Sequence, residues 1–99
     1  MACMYILRCA DGTFYTGSTT NLQARMDQHY NGIGSGYTAK RMPVTLEYYE
    51  EFQSIADAYQ RERQIHHWSH KKKQALIDQN FEKLKELALK KEEIPKLEV

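Results

Sequence analysis

The chain has 99 residues, of which 41% are hydrophobic and 27% charged, and its formal net charge is +1. That length and balance make one globular domain with a single modest core and exclude a disordered chain or an array of domains. No apolar run approaches the roughly 20 residues of a membrane span and no secretory signal opens the chain, so no membrane partner and a cytoplasmic location are expected. Cys3 and Cys9 then read as reduced residues of a strand, not as a disulfide framework. Near-neutral charge does not exclude nucleic acid, because basic residues cluster locally at Lys40-Arg41, at Arg61 and Arg63, and at Lys71-Lys72-Lys73.

In chain order, Met4 to Cys9 is an apolar, β-prone run. Asp11-Gly12 signals a hairpin turn and Thr13 to Gly17 the returning strand. Ser18-Thr19-Thr20-Asn21 reads as a helix start, with Thr20 and Gln23 spaced as a capping box. That helix is expected to run to about Tyr30, with Leu22, Met26 and Tyr30 as its buried stripe. Gly32 to Gly36 holds three glycines and reads as a mobile loop. Val44 to Phe52 is a third strand in which Val44, Leu46 and Tyr48 alternate. Ser54, with Asp57 three residues later, starts a second long helix ending near Trp68. A short helix follows around Lys71 to Ile77. Asn80 caps a last one, with Phe81, Leu84 and Leu87/Ala88 on its inner stripe, and the residues from Pro95 form a frayed tail. The expected fold is α+β: a three-stranded antiparallel sheet flanked by helices, in the order ββαβααα.

Five polar residues stand out against this pattern. Glu62 shares a helix face with Ala58 and Ile65, and a carboxylate on an apolar stripe is costly unless paired or bound to a metal. One reading pairs it with a cation from another element, such as Arg25. The other gives it a Mg²⁺ ion, which prefers oxygen ligands and keeps several waters. Arg25 and His29 lie four apart on one helix face. The Arg fork matches a phosphate, and a neutral His accepts protons near physiological pH. Tyr5 and Tyr15 lie on the two hairpin strands, within cross-strand reach. A proton acceptor, a cation and a carboxylate are the inventory for cutting a phosphodiester. His66 and His70 have the spacing of a metal pair, but no third ligand stands near them in that segment, and a solvated or phosphate-facing role fits them better.

In combination and order these residues resemble the GIY-YIG nuclease superfamily, in its short stand-alone bacterial branch. The two half-motifs are Met4-Tyr5-Ile6 and Tyr15-Thr16-Gly17. Arg25, His29 and Glu62 match the superfamily's Arg, its His or Tyr four residues on, and its metal-binding Glu. Tyr37 to Pro43 and Glu62 to Lys73 look like the short branch, with His66 where that branch usually has Lys and His70 where it commonly has Arg. The resemblance covers about residues 4–78. It implies a GIY-YIG nuclease-like domain over residues 1–80, with residues 81–99 forming a C-terminal helix packed on it and a tail.

The activity implied is metal-dependent endonuclease cleavage of DNA, with RNA as the alternative substrate. Glu62 would hold Mg²⁺, or Mn²⁺, against the scissile phosphate. A tyrosine hydroxyl, Tyr5 assisted by His29, would take a proton from the attacking water, made basic by the positive charge of Arg25 and the metal. Arg25 would stabilise charge on the phosphate, and Tyr15 would position the phosphate or the water. Tyr37, Arg41, His66, Lys72 and Lys73 are the expected nucleic-acid contacts, and the glycine loop either closes over substrate or merely connects. Two other classes compete: a nucleic-acid-binding module of the same fold that cuts little or nothing, and a protein-interaction domain using the helical C-terminus. The sequence leaves the oligomeric state open.

Overall fold

A computed structural model describes residues 1–88. The strands are β1 (Ala2–Arg8), β2 (Phe14–Thr19) and β3 (Thr45–Phe52). The helices are α1 (Leu22–Tyr30), α2 (Gly36–Ala39), α3 (Ile55–His66) and α4 (His70–Ile77), and residues 81–88 are also helical. They fall into one unit up to His67 and a second from Trp68 onward. No helix among the described residues is long and apolar enough to cross a membrane.

The first unit is an antiparallel sheet in the order β2-β1-β3. Its hairpin is set by Asp11, whose Oδ1 accepts from the Thr13 amide at 3.0 Å and the Thr13 hydroxyl at 2.6 Å, while Gly12 takes φ +85°. The central strand is covered on both faces. Met4, Tyr5, Ile6 and Leu7 are all completely buried, a continuous apolar run rather than an alternating one. Tyr5, Leu7 and Cys9 form one cluster with Met26 of α1 and Val44. On the opposite face, α3 is joined to β2 and β3 by side-chain bonds from Ser18, Thr16 and Glu50, and it buries Ala58 and Ile65. Both cysteines are buried free thiols, and burial pushes their pKa values up.

Five local expectations need correction. The second strand runs on to Thr19, because Ser18 and Thr19 stay paired with Met4 and Cys3. The cap of α1 is therefore Asn21, whose side chain accepts from the Ala24 amide, and not Thr20. The buried face of α1 carries Met26 and His29, while Tyr30 is exposed. At 100° per residue, position 29 lies only about 20° from the direction of Leu22, whereas position 30 lies about 80° away. The glycine-rich segment is not merely a loop. Ser35 caps the short helix α2, accepting from the Thr38 amide at 3.1 Å. Finally, β3 does not alternate cleanly. Its register with β1 shifts between Ile6 and Leu7, so that Leu46 pairs with Leu7 but Tyr48 with Ile6. Leu46 and Tyr48 thus serve opposite faces of the sheet.

In the second unit, Asn80 caps the helical residues 81–88 by accepting from the Lys83 amide at 3.1 Å. Leu84, Leu87 and Ala88 are half-buried, but Phe81 is 63% exposed and so leaves the expected stripe. The expected tail from Pro95 lies outside the described residues.

Leu7→Ala should lower the unfolding free energy in urea by about 2–5 kcal/mol, the range for emptying a completely buried leucine site. Ile33→Ala, at a position 74% exposed, should change it by no more than about 0.5 kcal/mol.

Candidate active site

Tyr5 is the centre of the site. It pairs across the hairpin with Gly17, and a Cβ at position 17 would overlap the phenol ring. The glycine lets the ring lie against the strand backbone, with its hydroxyl carried toward α1. There it meets Nε2 of His29 at 2.8 Å, in a bond wholly buried from solvent. Nδ1 of His29 lies 3.0 Å from the Thr38 hydroxyl, which in turn lies 2.9 Å from the Ser35 hydroxyl. A Cβ at Gly34 would overlap the imidazole. The segment expected as a mobile loop therefore forms a wall of the site, and two glycines clamp the Tyr5–His29 pair.

Tyr15 completes an aromatic group. Its ring centroid lies 6.4 Å from that of Tyr5 and 5.4 Å from that of His29. Tyr37 stacks on Tyr15 at 6.0 Å, and the Arg41 guanidinium covers Tyr37 at 3.8 Å. Tyr37 donates its hydroxyl to Thr13, and Arg41 donates to Asp11 and to the Tyr37 carbonyl. The two residues are thus tied to the hairpin turn as well as to each other.

Electrostatics set the protonation states. Burial and the neighbouring Tyr15 push the Tyr5 phenol up to about 12, and the charge of Glu62 adds to this. Arg25 pulls the other way, by its charge and by hydrogen bonding. Arg25 lies beside Tyr5 as expected, but it does not make the phenol acidic: desolvation wins. Burial, followed by the charge of Arg25, holds His29 below the usual histidine range, so it is neutral at pH 7.

Glu62 occupies the half-buried stripe between Ala58 and Ile65. It is not paired with Arg25. Its Oε1 accepts from the Ser18 hydroxyl at 2.7 Å, and among the described residues it has no cation partner. Arg61 is held by Glu50 at 2.9 Å instead, and Arg63 lies against Tyr59. The helices α1 and α3 lie on opposite faces of the sheet, and β2 is one of its two edge strands. Their functional groups approach round that edge. Ser18, Thr19 and Thr20 line a cleft of about 440 Å³ together with Arg25, Ile55, Ala56 and Tyr59. A second cleft, of about 210 Å³, is lined by Tyr59, Glu62, Arg63, His66 and His67. Among the described residues no cluster of three or more His, Cys, Asp and Glu side chains could hold a metal. A lone carboxylate without a cation partner, opening on a polar cleft, fits an ion such as Mg²⁺ that takes one protein oxygen and keeps its waters.

The remaining expected contacts are dispersed. His66 Nδ1 lies 3.3 Å from the Thr16 hydroxyl. Lys72, in the second unit, is buried with its ammonium 4.3 Å above the Trp68 ring, so it is not the solvent-facing cation that the lysine run had implied. Lys73 is half-buried, and burial lowers its pKa. Sequence reasoning missed Ser18, Ser35, Thr38 and Gly34. Signals for the first three were present: Thr16 and Ser18 put hydroxyls at alternate positions on a sheet face that should be apolar, and Ser35 stands three residues before Thr38 as a helix cap does.

The pH dependence of stability follows from His29, which faces Tyr5, Tyr15, Thr38 and Arg25. A depressed folded pKa means that the unfolded chain binds more protons below about 6.5, so stability falls as pH drops from there toward the folded value. Urea unfolding between pH 7.5 and 5 should lose less stability in His29→Gln than in the wild type. Equal slopes would contradict the assignment.

Comparison with known proteins agrees with this geometry. A family model described as the GIY-YIG catalytic domain matches residues 1–75. A UPF0213 protein of Halobacterium salinarum is 45% identical over 74 residues, covering 75% of this chain and 96% of that protein. One from Bacillus pumilus is 43% identical over 75 residues, covering 76% of each. The solution NMR structure of a UPF0213 protein from Bacillus halodurans is 38% identical, with a TM-score of 0.51 over 79% of this chain and 84% of that one. The chain belongs to the GIY-YIG family, a nuclease superfamily, and its relatives are small UPF0213 proteins.

Proposed function

We propose that the protein is a Mg²⁺-dependent endonuclease that hydrolyses phosphodiester bonds of DNA, with Mn²⁺ as a substitute ion. The observation that carries this reading is the Tyr5 phenol itself. Its oxygen lies 2.8 Å from a neutral imidazole, and it feels the charges of both Arg25 and Glu62. Tyr15 flanks the same point.

The raised Tyr5 pKa argues against a free phenolate as the base. A concerted transfer suits the geometry better. The attacking water gives its proton to the Tyr5 oxygen as the phenol proton passes to Nε2 of His29. The phenol ends neutral, the imidazole becomes imidazolium, and hydroxide attacks phosphorus. The proton on His29 leaves later by the same path. Arg25 neutralises charge gathering on the phosphate oxygens. Glu62 is the residue that would hold Mg²⁺, whose chemistry when bound is Lewis-acid stabilisation of the phosphate and the departing oxygen. Ser18 fixes the carboxylate by donating to one oxygen. For contacts beyond the scissile phosphate we propose Tyr37, Arg41 and His66 in the first unit, and Lys73 in the second.

Supercoiled plasmid nicking with Mg²⁺ or Mn²⁺ tests this reading. Glu62→Gln should lose about 100-fold or more in rate, matching several kcal/mol of metal-dependent stabilisation. Salt-sensitive binding without nicking would leave a binding module of the same fold. Cleavage of RNA but not DNA would correct the substrate and keep the chemistry.

A further inference from the structure

Both ring nitrogens of His29 are engaged, so the direction of each hydrogen bond decides which nitrogen carries the proton. Thr38 faces Nδ1. It is completely buried although its side chain is polar, and the short helix α2 holds it. Its hydroxyl has one proton to give. The Ser35 carbonyl, an acceptor only, lies 3.4 Å away and the Ser35 hydroxyl 2.9 Å away. With that proton turned toward Ser35, a lone pair of the Thr38 oxygen points at His29, and Nδ1 must be the donor. At the opposite end of the ring, the Tyr5 hydroxyl 2.8 Å from Nε2 then supplies the proton of that bond. Gly34 backs the imidazole and keeps it in this plane.

We propose that Thr38 is a positioning residue that holds His29 in its Nδ1–H tautomer, so that Nε2 presents a lone pair to the Tyr5 hydroxyl. The same contact serves the imidazolium, whose Nδ1–H keeps its acceptor after Nε2 has taken the phenol proton. Atoms balance throughout: one proton moves from oxygen to Nε2, and Thr38 neither gains nor loses one. The catalytic consequence rests on the proton path proposed above, whereas the tautomer does not.

The test is ¹⁵N-resolved NMR of the histidine rings in the full chain at pH 7.5, alongside nicking kinetics. The wild type should show His29 protonated at Nδ1 and bare at Nε2, and Thr38→Ser should keep that pattern. Thr38→Val leaves a buried N–H without an acceptor, which costs more than a bare ring nitrogen facing a methyl group. The tautomer ratio should therefore move toward Nε2–H by about 10-fold or more. In nicking, kcat of Thr38→Val should fall about 10- to 100-fold with KM little changed, and Thr38→Ser should restore it. A wild type protonated at Nε2, or a folded Thr38→Val with an unchanged tautomer, overturns the inference. The wild-type and Thr38→Ser spectra decide the matter even should Thr38→Val not fold. The stated wild-type tautomer, shifted in Thr38→Val, together with no nicking would uphold Thr38 as the determinant and remove the nuclease reading instead.

Discussion

The buried hydrogen bond between Tyr5 and His29 is the constraint around which the first unit is arranged. A phenol and an imidazole lie buried away from bulk solvent, and each finds a hydrogen-bond partner in the other. Losing either would leave an unsatisfied buried polar group, at a cost of about 1–3 kcal/mol. Room for the two rings comes from glycines on either side. Gly17 yields its face of β2 to the phenol, and Gly34 yields a wall to the imidazole. The far side of the imidazole is closed by Thr38, itself completely buried. Fold and chemistry thus share one network: the contacts that would move a proton also hold β1, α1 and α2 together.

The sheet divides the proposed chemistry between its faces. Proton transfer groups lie with α1 on one side, and the carboxylate lies with α3 on the other. They meet round the edge strand β2, where Ser18 reaches Glu62 and Arg25 lines the neighbouring cleft. The charges at this edge oppose one another at Tyr5. Burial, which contributes most, joins Tyr15 and Glu62 in favouring the neutral phenol, and Arg25 alone favours the phenolate. A group in that state is a poor base alone and a good relay when a neutral imidazole waits behind it. The depressed His29 pKa keeps the imidazole in the accepting form.

Much of this was readable from residues, and the failures have physical causes. The three strands were marked by β-prone runs and by Asp11-Gly12, whose side-chain bonds and positive φ set the turn. Glu62 was legible because a carboxylate on an apolar helical stripe needs a reason, although its partner was not: hydroxyl Ser18, and not Arg25, reaches it across the sheet. The stripe of α1 departs from the expected Leu22, Met26 and Tyr30 because spacing by seven, not by four, keeps the direction, so His29 turns inward and Tyr30 outward. Three glycines in five residues concealed a helix of a single turn, which one serine cap suffices to start. The raised pKa of Tyr5 had no signature in the sequence at all, since it comes from desolvation by residues scattered along the chain. Lys72 was misplaced for the opposite reason: a run of lysines looks solvated, but one position per helical turn faces inward, and here it rests on Trp68.

The central claim is that Tyr5 and His29 act as one proton-transfer unit. A double-mutant cycle in Mg²⁺-dependent plasmid nicking, comparing Tyr5→Phe, His29→Gln and the combined variant, tests it most directly. Residues that act together lose their function together, so the combined variant should be no more than about 3-fold slower than the worse single one. Losses that multiply, or a wild type that cuts nothing with either ion, would contradict the account.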